Sequence, residues 1–125
     1  MEARRPDAGD REAVTQKNIL FIMYDQLRFD YLSCAGHKTL NTPNFDRVAA
    51  RGVRFTNAYV QSPVCGASRM STYTGRYVAS HGAGWNKFPI RVGEVTLGDH
   101  LRQNGMSCWL LGKTHMQADE EGMAR

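Results

Sequence analysis

Apolar and polar positions divide this chain into a polar head and a patterned body. Residues 1–16 are charged and polar, hold Pro6 and Gly9, and offer no apolar stretch to bury, so they read as a mobile tail. From Asn18 the pattern changes. Ile19 to Tyr24 is an unbroken apolar run, which is how a strand covered on both faces of a parallel sheet reads. It ends in Asp25-Gln26, and open α/β sheets bind ligands at the carboxyl ends of their strands. Thr42-Pro43 then opens a helix, with Thr42 as cap, Pro43 as first helical residue, Phe45, Val48 and Ala49 as its apolar stripe, and Gly52 as a left-handed stop. Val53 and Phe55 alternate as a short strand. A second helix is expected from just after Cys65 to about Thr74, ended by Gly75, and the glycine-rich stretch 80–93 reads as loop. Thr96, with Asp99 three residues on, forms a capping box for a third helix that carries Leu97, His100 and Leu101 on one face and stops at Gly105. Met106 to Leu111 is a further apolar strand that runs into Gly112-Lys113-Thr114-His115. Strand, helix, strand, helix, helix, strand is an α/β order. Met70, Met106, Trp109, Cys34 and Cys108 are expected as packing residues, with His100 a core histidine.

Composition narrows the class. Hydrophobic residues make 42% of the 125 and charged residues 22%, which suits a folded globular chain rather than a disordered one. No stretch approaches the roughly 18 apolar residues of a membrane helix, and the head lacks the apolar core of a secretory signal. The expectation is a cytoplasmic protein without a membrane partner. The formal charge is +4, but Arg4, Arg5, Arg11 and Lys17 are balanced by Glu2, Asp7, Asp10 and Glu12. The excess is scattered over the body at positions such as Arg28, Arg47, Arg76 and Arg91, with no basic block or aromatic-interleaved stripe, which argues against nucleic acid and suits an anionic small molecule. Three cysteines, Cys34, Cys65 and Cys108, are an odd count without metal-finger spacing and do not make a disulfide framework.

Three clusters carry candidate chemistry. Cys65 begins a helix within Cys65-Gly66-Ala67-Ser68-Arg69, followed by Thr74-Gly75-Arg76; free N–H groups and the helix dipole favour an anion there, and Arg69 one turn on can return to the same spot. Asp25 and Gln26 offer two side-chain oxygens to a hard divalent cation. Lys113, Thr114 and His115 add a cation, a hydroxyl and a candidate general acid, and Asn86 in its glycine-rich loop can donate to an anion.

These motifs resemble those of the sulfatase family. Cys65 to Arg69 is similar to its Cys-x-Pro/Ala-x-Arg signature with the following Thr-Gly-Arg, and Gly105 to His115 is similar to its second signature. Asp25-Gln26, Thr42-Pro43-Asn44-Phe45-Asp46 and Gly52 to Tyr59 match the run before and between them. The resemblance implies the amino-terminal part of an alkaline-phosphatase-like α/β fold with a mainly parallel central sheet, over residues 17–125 after the tail. It implies hydrolysis of sulfate esters through a formylglycine made from Cys65 by a formylglycine-generating enzyme, with a divalent metal held by Asp25, Gln26 and the modified Cys65. Arg69 would hold the nucleophile, and Lys113 and His115 would contact the anionic group of a small ester substrate. Gln26 stands where most members have Asp, Ala67 where many have Pro, and Thr114 where most have Trp or a similar residue. Gln26, Asn86 and Lys113-Thr114-His115 together resemble the phosphonate monoester hydrolase branch, whose enzymes also accept phosphodiesters and some sulfate esters, with Asn86 and Thr114 as substrate-binding residues. One carboxylate fewer weighs toward manganese relative to calcium, with magnesium and zinc as further candidates. Since the family's remaining metal ligands come from later in a much longer chain, the expectation is an amino-terminal fragment, inactive alone and a homo-oligomer when whole. The alternative is a truncated or anion-binding domain without catalysis.

Overall fold

The most deeply packed element is a helix whose first turn is built from small residues. The computed structural model describes residues 18–91 and 93–116, and the tail expected at 1–16 lies outside them. Helix α1 spans Pro43–Arg51, α2 spans Cys65–Thr74, α3 spans Val78–His81 and α4 spans Leu97–Gln103, preceded by short 3-10 turns at Phe29–Tyr31 and Ser33–Ala35. In α2 the small Gly66, Ala67 and Ser71 let neighbouring backbone come close, and they are buried with Arg69 and Met70. Ala67 and Met70 form the core with Ala83. Gly75 ends α2 in the left-handed region at φ 66°, a conformation that suits glycine.

α3 overlaps only the first two residues of the stretch read as loop, and it packs on α2. His81, with no exposed surface, makes the joint: its Nε2 lies 2.8 Å from Ser71 Oγ, and its Nδ1 accepts the Ala83 N–H at 3.1 Å. With Nδ1 an acceptor, Nε2 carries the hydrogen and the ring is neutral. Burial holds the His81 pKa below its ordinary value of 6.5; Glu94 opposes this and Arg76 adds to it. Between the two values the unfolded chain binds the extra proton, so stability rises with pH there. The contribution is complete above the ordinary value and is lost as pH falls through it toward the folded one. A melting temperature that drops on acidification below about pH 6.5, with the drop flattened in His81→Gln, is the expected result.

The helix ends mix expected and unexpected chemistry. At α4 the capping box forms as read: Thr96 N–H donates to Asp99 Oδ2 at 2.8 Å and Asp99 N–H to Thr96 Oγ1 at 3.4 Å. Bonding from Thr96 holds the Asp99 carboxyl below its usual range. Gly105 follows in the left-handed region at φ 76°. At α1 the expectation fails. The Thr42 hydroxyl makes no cap because Ser33 engages it, through its N–H at 3.0 Å and its Oγ at 2.8 Å, while Ser33 Oγ donates to Asp46 at 2.7 Å. Gly52 is extended at φ −135°, not left-handed.

The expected strands are the main difference. Among the described residues no strand is formed, and Ile19 to Tyr24, Val53 to Phe55 and Met106 to Leu111 run without a backbone ladder. A strand needs a neighbour to satisfy its N–H and C=O groups, and the described residues provide none for these segments. Their side chains stand open as a result: Phe21 is 64% exposed, Leu111 86% and Trp109 79%. Trp109, Cys108 and His100, expected inside, are all exposed here. No helix among the described residues is long and apolar enough to cross a membrane.

Candidate active site

The three clusters named from the sequence meet on one face of α2. Residues 65, 69 and 73 are spaced at i, i+4 and i+8, which aligns Cys65, Arg69 and Tyr73 along that face. Arg69, only 6% exposed, is the hub. Its Nη1 donates to the Lys113 carbonyl at 2.6 Å and its Nη2 to Asp25 Oδ1 at 3.4 Å, each bond spanning 44 residues. Lys113 Nζ closes the triangle at 2.8 Å from Asp25 Oδ2.

The electrostatics follow from this crowding. Hydrogen bonding from Lys113 is the largest cause holding the Asp25 carboxyl below its ordinary value; burial opposes it, and the Lys113 charge, Arg69 and Cys65 add to it. Burial works against the Arg69 charge, but bonding with Tyr73 and Asp25 outweighs it and the guanidinium pKa rises. The group is therefore a fixed cation beside the thiol.

Two backbone outliers fall at the same place. Gln26 (φ 57°) and His115 (φ 54°) are the non-glycine residues with positive φ among the described residues, and both were named as site residues from sequence. Such strain persists only where surroundings hold it, and it clusters at functional sites. His115 Nδ1 is buried with no hydrogen-bond partner among the described residues, a condition that calls for an explanation in a native fold.

Thr114 adds its backbone rather than its side chain to the α2 face, since its carbonyl accepts from Tyr73 Oη at 3.2 Å. Asn86 comes to the helix mouth, where its Oδ1 accepts the Gly66 N–H at 2.8 Å. One of the free N–H groups expected to face an anion is thus already used. Tyr73 was missed; its spacing of four from Arg69 was the only available signal.

As a metal centre the arrangement is incomplete. Asp25 and Gln26 bring one carboxylate and one amide, and both carboxylate oxygens already face cationic side chains. A hard cation takes six or more oxygens, and no group of three His, Cys, Asp or Glu among the described residues could hold one. These residues do not by themselves fit a resident metal. A groove of about 390 Å³ lies on a different face of α2, lined by Ser68, Ser71, Thr72, Arg76 and Tyr77. It shares no residue with the cluster, and its Arg76 is paired with Glu94.

Comparison with known proteins agrees with the motifs. The family model described as Sulfatase matches residues 17–124. Human steryl-sulfatase is 36% identical over 119 residues, covering 86% of this chain and 20% of the relative. N-acetylglucosamine-6-O-sulfatase of Bacteroides thetaiotaomicron is 31% identical, covering 90% of this chain and 20% of the relative. Human arylsulfatase A is 34% identical, covering 84% of this chain and 22% of the relative. The chain spans about a fifth of the length of these relatives.

Proposed function

This chain belongs to the sulfatase family, and from that premise we propose that it carries the nucleophile half of a site that hydrolyses sulfate esters. The observation that supports the reading most is the convergence of Arg69 and Lys113 on the Asp25 carboxylate from segments 44 and 88 residues apart, with Cys65 four residues before Arg69 on the same helix. Two cations gathered beside the start of the Cys65 helix suit the handling of an anion there.

Each residue then has a role. Cys65, converted to formylglycine by a formylglycine-generating enzyme, supplies the oxygen nucleophile, and a covalent intermediate divides a hard displacement into two easier steps. Arg69 fixes the first turn of α2 and keeps a permanent positive charge beside residue 65. Lys113 is half-exposed, so its ammonium can leave Asp25 for the non-bridging oxygens of an ester, where charge develops. His115, whose buried Nδ1 has no partner among the described residues, leaves its other ring nitrogen, Nε2, as the candidate donor of a proton to the leaving oxygen. Thr114 and the Asn86 amide are further contacts to the anionic group. Asp25, Gln26 and the modified residue 65 would form one side of a divalent-metal shell, manganese or calcium first, with its other ligands outside the described residues. Gln26 in place of a second carboxylate extends the proposal to phosphonate monoesters and phosphodiesters.

The test couples chemistry to mass. After co-expression with a formylglycine-generating enzyme, the peptide holding residue 65 is expected to have exchanged its sulfur and two hydrogens for one oxygen. This chain alone is expected to be inactive, and to release phenol from an aryl sulfate when joined to the segments that supply the remaining ligands. An unmodified thiol with sulfate bound but no turnover would favour a non-catalytic anion-binding role instead.

A further inference from the structure

We propose that Asn86 is a positioning residue that caps the Cys65 helix from across the fold and holds the reacting residue through Gly66; the proposal rests on the reading of Cys65 as the nucleophile. A helix leaves its first N–H groups without partners, and a Ser, Thr, Asp or Asn at the N-cap normally takes one of them. α2 has Val64 there, and no side-chain cap is formed. The bond from Ser68 N–H to the Val64 carbonyl at 2.9 Å opens the helical pattern, so the amides of 65, 66 and 67 lie ahead of it. Asn86, 20 residues downstream, supplies the missing acceptor at 2.8 Å from the Gly66 nitrogen.

The fit is tight enough to require glycine. A Cβ at position 66 would stand 2.8 Å from Asn86 Cα and 3.1 Å from the Trp85 carbonyl oxygen. Backbone on both sides cannot yield cheaply, so Gly66 is what lets the loop approach. The same loop is fastened at its other end by His81 on Ser71. It is thereby strapped to α2 at two points, one of them adjacent to Cys65. The cap also fixes the sense of the Asn86 amide. With Oδ1 committed to Gly66, Nδ2 turns the other way as a donor, and no hydrogen bond among the described residues uses it.

Three variants test this: Asn86→Ala, Asn86→Asp and Gly66→Ala. Hydrogen exchange at the Gly66 amide, followed by NMR on the protein as expressed, reads the cap without reference to activity. Asn86→Ala is expected to speed that exchange about tenfold or more while core amides such as Met70 keep their protection. Asn86→Asp retains the acceptor and is expected to keep the Gly66 amide protected, although its charge raises KM for an anionic aryl sulfate. Gly66→Ala keeps the Asn86 residue but pushes its loop away from α2, and is expected to lower kcat about tenfold or more, with KM changed by less than about threefold, as a small misplacement of the nucleophile would. Unchanged Gly66 exchange in Asn86→Ala, no rescue by Asp, or full kcat in Gly66→Ala would each overturn the cap. The kinetic arm uses the chain joined to the segments that supply the remaining metal ligands; if that wild-type protein hydrolysed no ester, the hydrolase reading would fail, and the exchange data would still decide the role of Asn86.

Discussion

Replacing Cys65 with alanine is expected to lower ester hydrolysis about 10⁴-fold or more, the scale seen when a covalent nucleophile is removed, with little change in stability. The first half follows from the proposed chemistry, since alanine can be neither oxidised to an aldehyde nor add to sulfur. The second follows from the fold. Cys65 is half-buried at the first position of α2, and alanine is the best helix former. Asp25 would keep its bonds from Arg69 and Lys113. Cys34→Ala and Cys108→Ala serve as controls: Cys34 faces an apolar groove with Phe45 and Val48, and Cys108 is exposed near Gly98. Turnover rates with a chromogenic aryl sulfate, together with melting curves, decide the matter. A Cys65→Ala protein that keeps most of its turnover would remove the nucleophile assignment.

Much of the site was legible because its residues sit in short motifs whose physics is local. A cysteine at a helix start, an arginine four residues on, and polar residues at the ends of two apolar runs could be paired on paper. The helices were legible for the same reason. The Thr96–Asp99 capping box and the Gly75 stop depend on residues within one turn, and both form. Where distant partners compete, the reading failed. Thr42 has the right chemistry for a cap, yet Ser33 takes its hydroxyl from nine residues away. Tyr73 looked like an ordinary helix residue because its carbonyl partner lies 41 residues downstream.

Asn86 shows how a sensible reading can catch half of a residue's chemistry. Its donor was anticipated, but its acceptor answers to a helix whose own cap position holds valine, and nothing near Asn86 in sequence announces that need. The strands fail for a different reason. Their apolar runs specify burial on both faces, but a strand is a property of a pair, and the described residues hold no ladder for them. An α/β order in sequence thus expresses itself here, among the described residues, as helices joined by segments without regular secondary structure. The exposed Phe21, Leu111 and Trp109 record the burial that those segments were composed for.

Arg69→Ala is expected to be the costliest single change to the framework of the site, and Arg69→Lys nearly as damaging. The guanidinium is almost fully buried and bonds two groups at once, the Lys113 carbonyl at 2.6 Å and the Asp25 carboxylate at 3.4 Å. Hydrogen bonds to a charged group contribute about 1.5–3 kcal/mol, and the carbonyl bond at 2.6 Å is the stronger of this pair. Truncation also leaves the Lys113 carbonyl without its donor, two residues before His115 with its left-handed backbone. Lysine keeps the charge but offers a point ammonium instead of a planar fork, so it can serve the carbonyl or the carboxylate, not both. Both variants should therefore unfold at lower urea by about 1.5–3 kcal/mol. Both should also lose kcat/KM by more than the stability change explains, because Lys113 and His115 would no longer be aimed. Urea midpoints and steady-state kinetics measured on the same preparations separate these effects. A lysine variant matching the wild type in both would mean that Arg69 acts only through its charge, and that the triangle of Asp25, Arg69 and Lys113 does not organise the site.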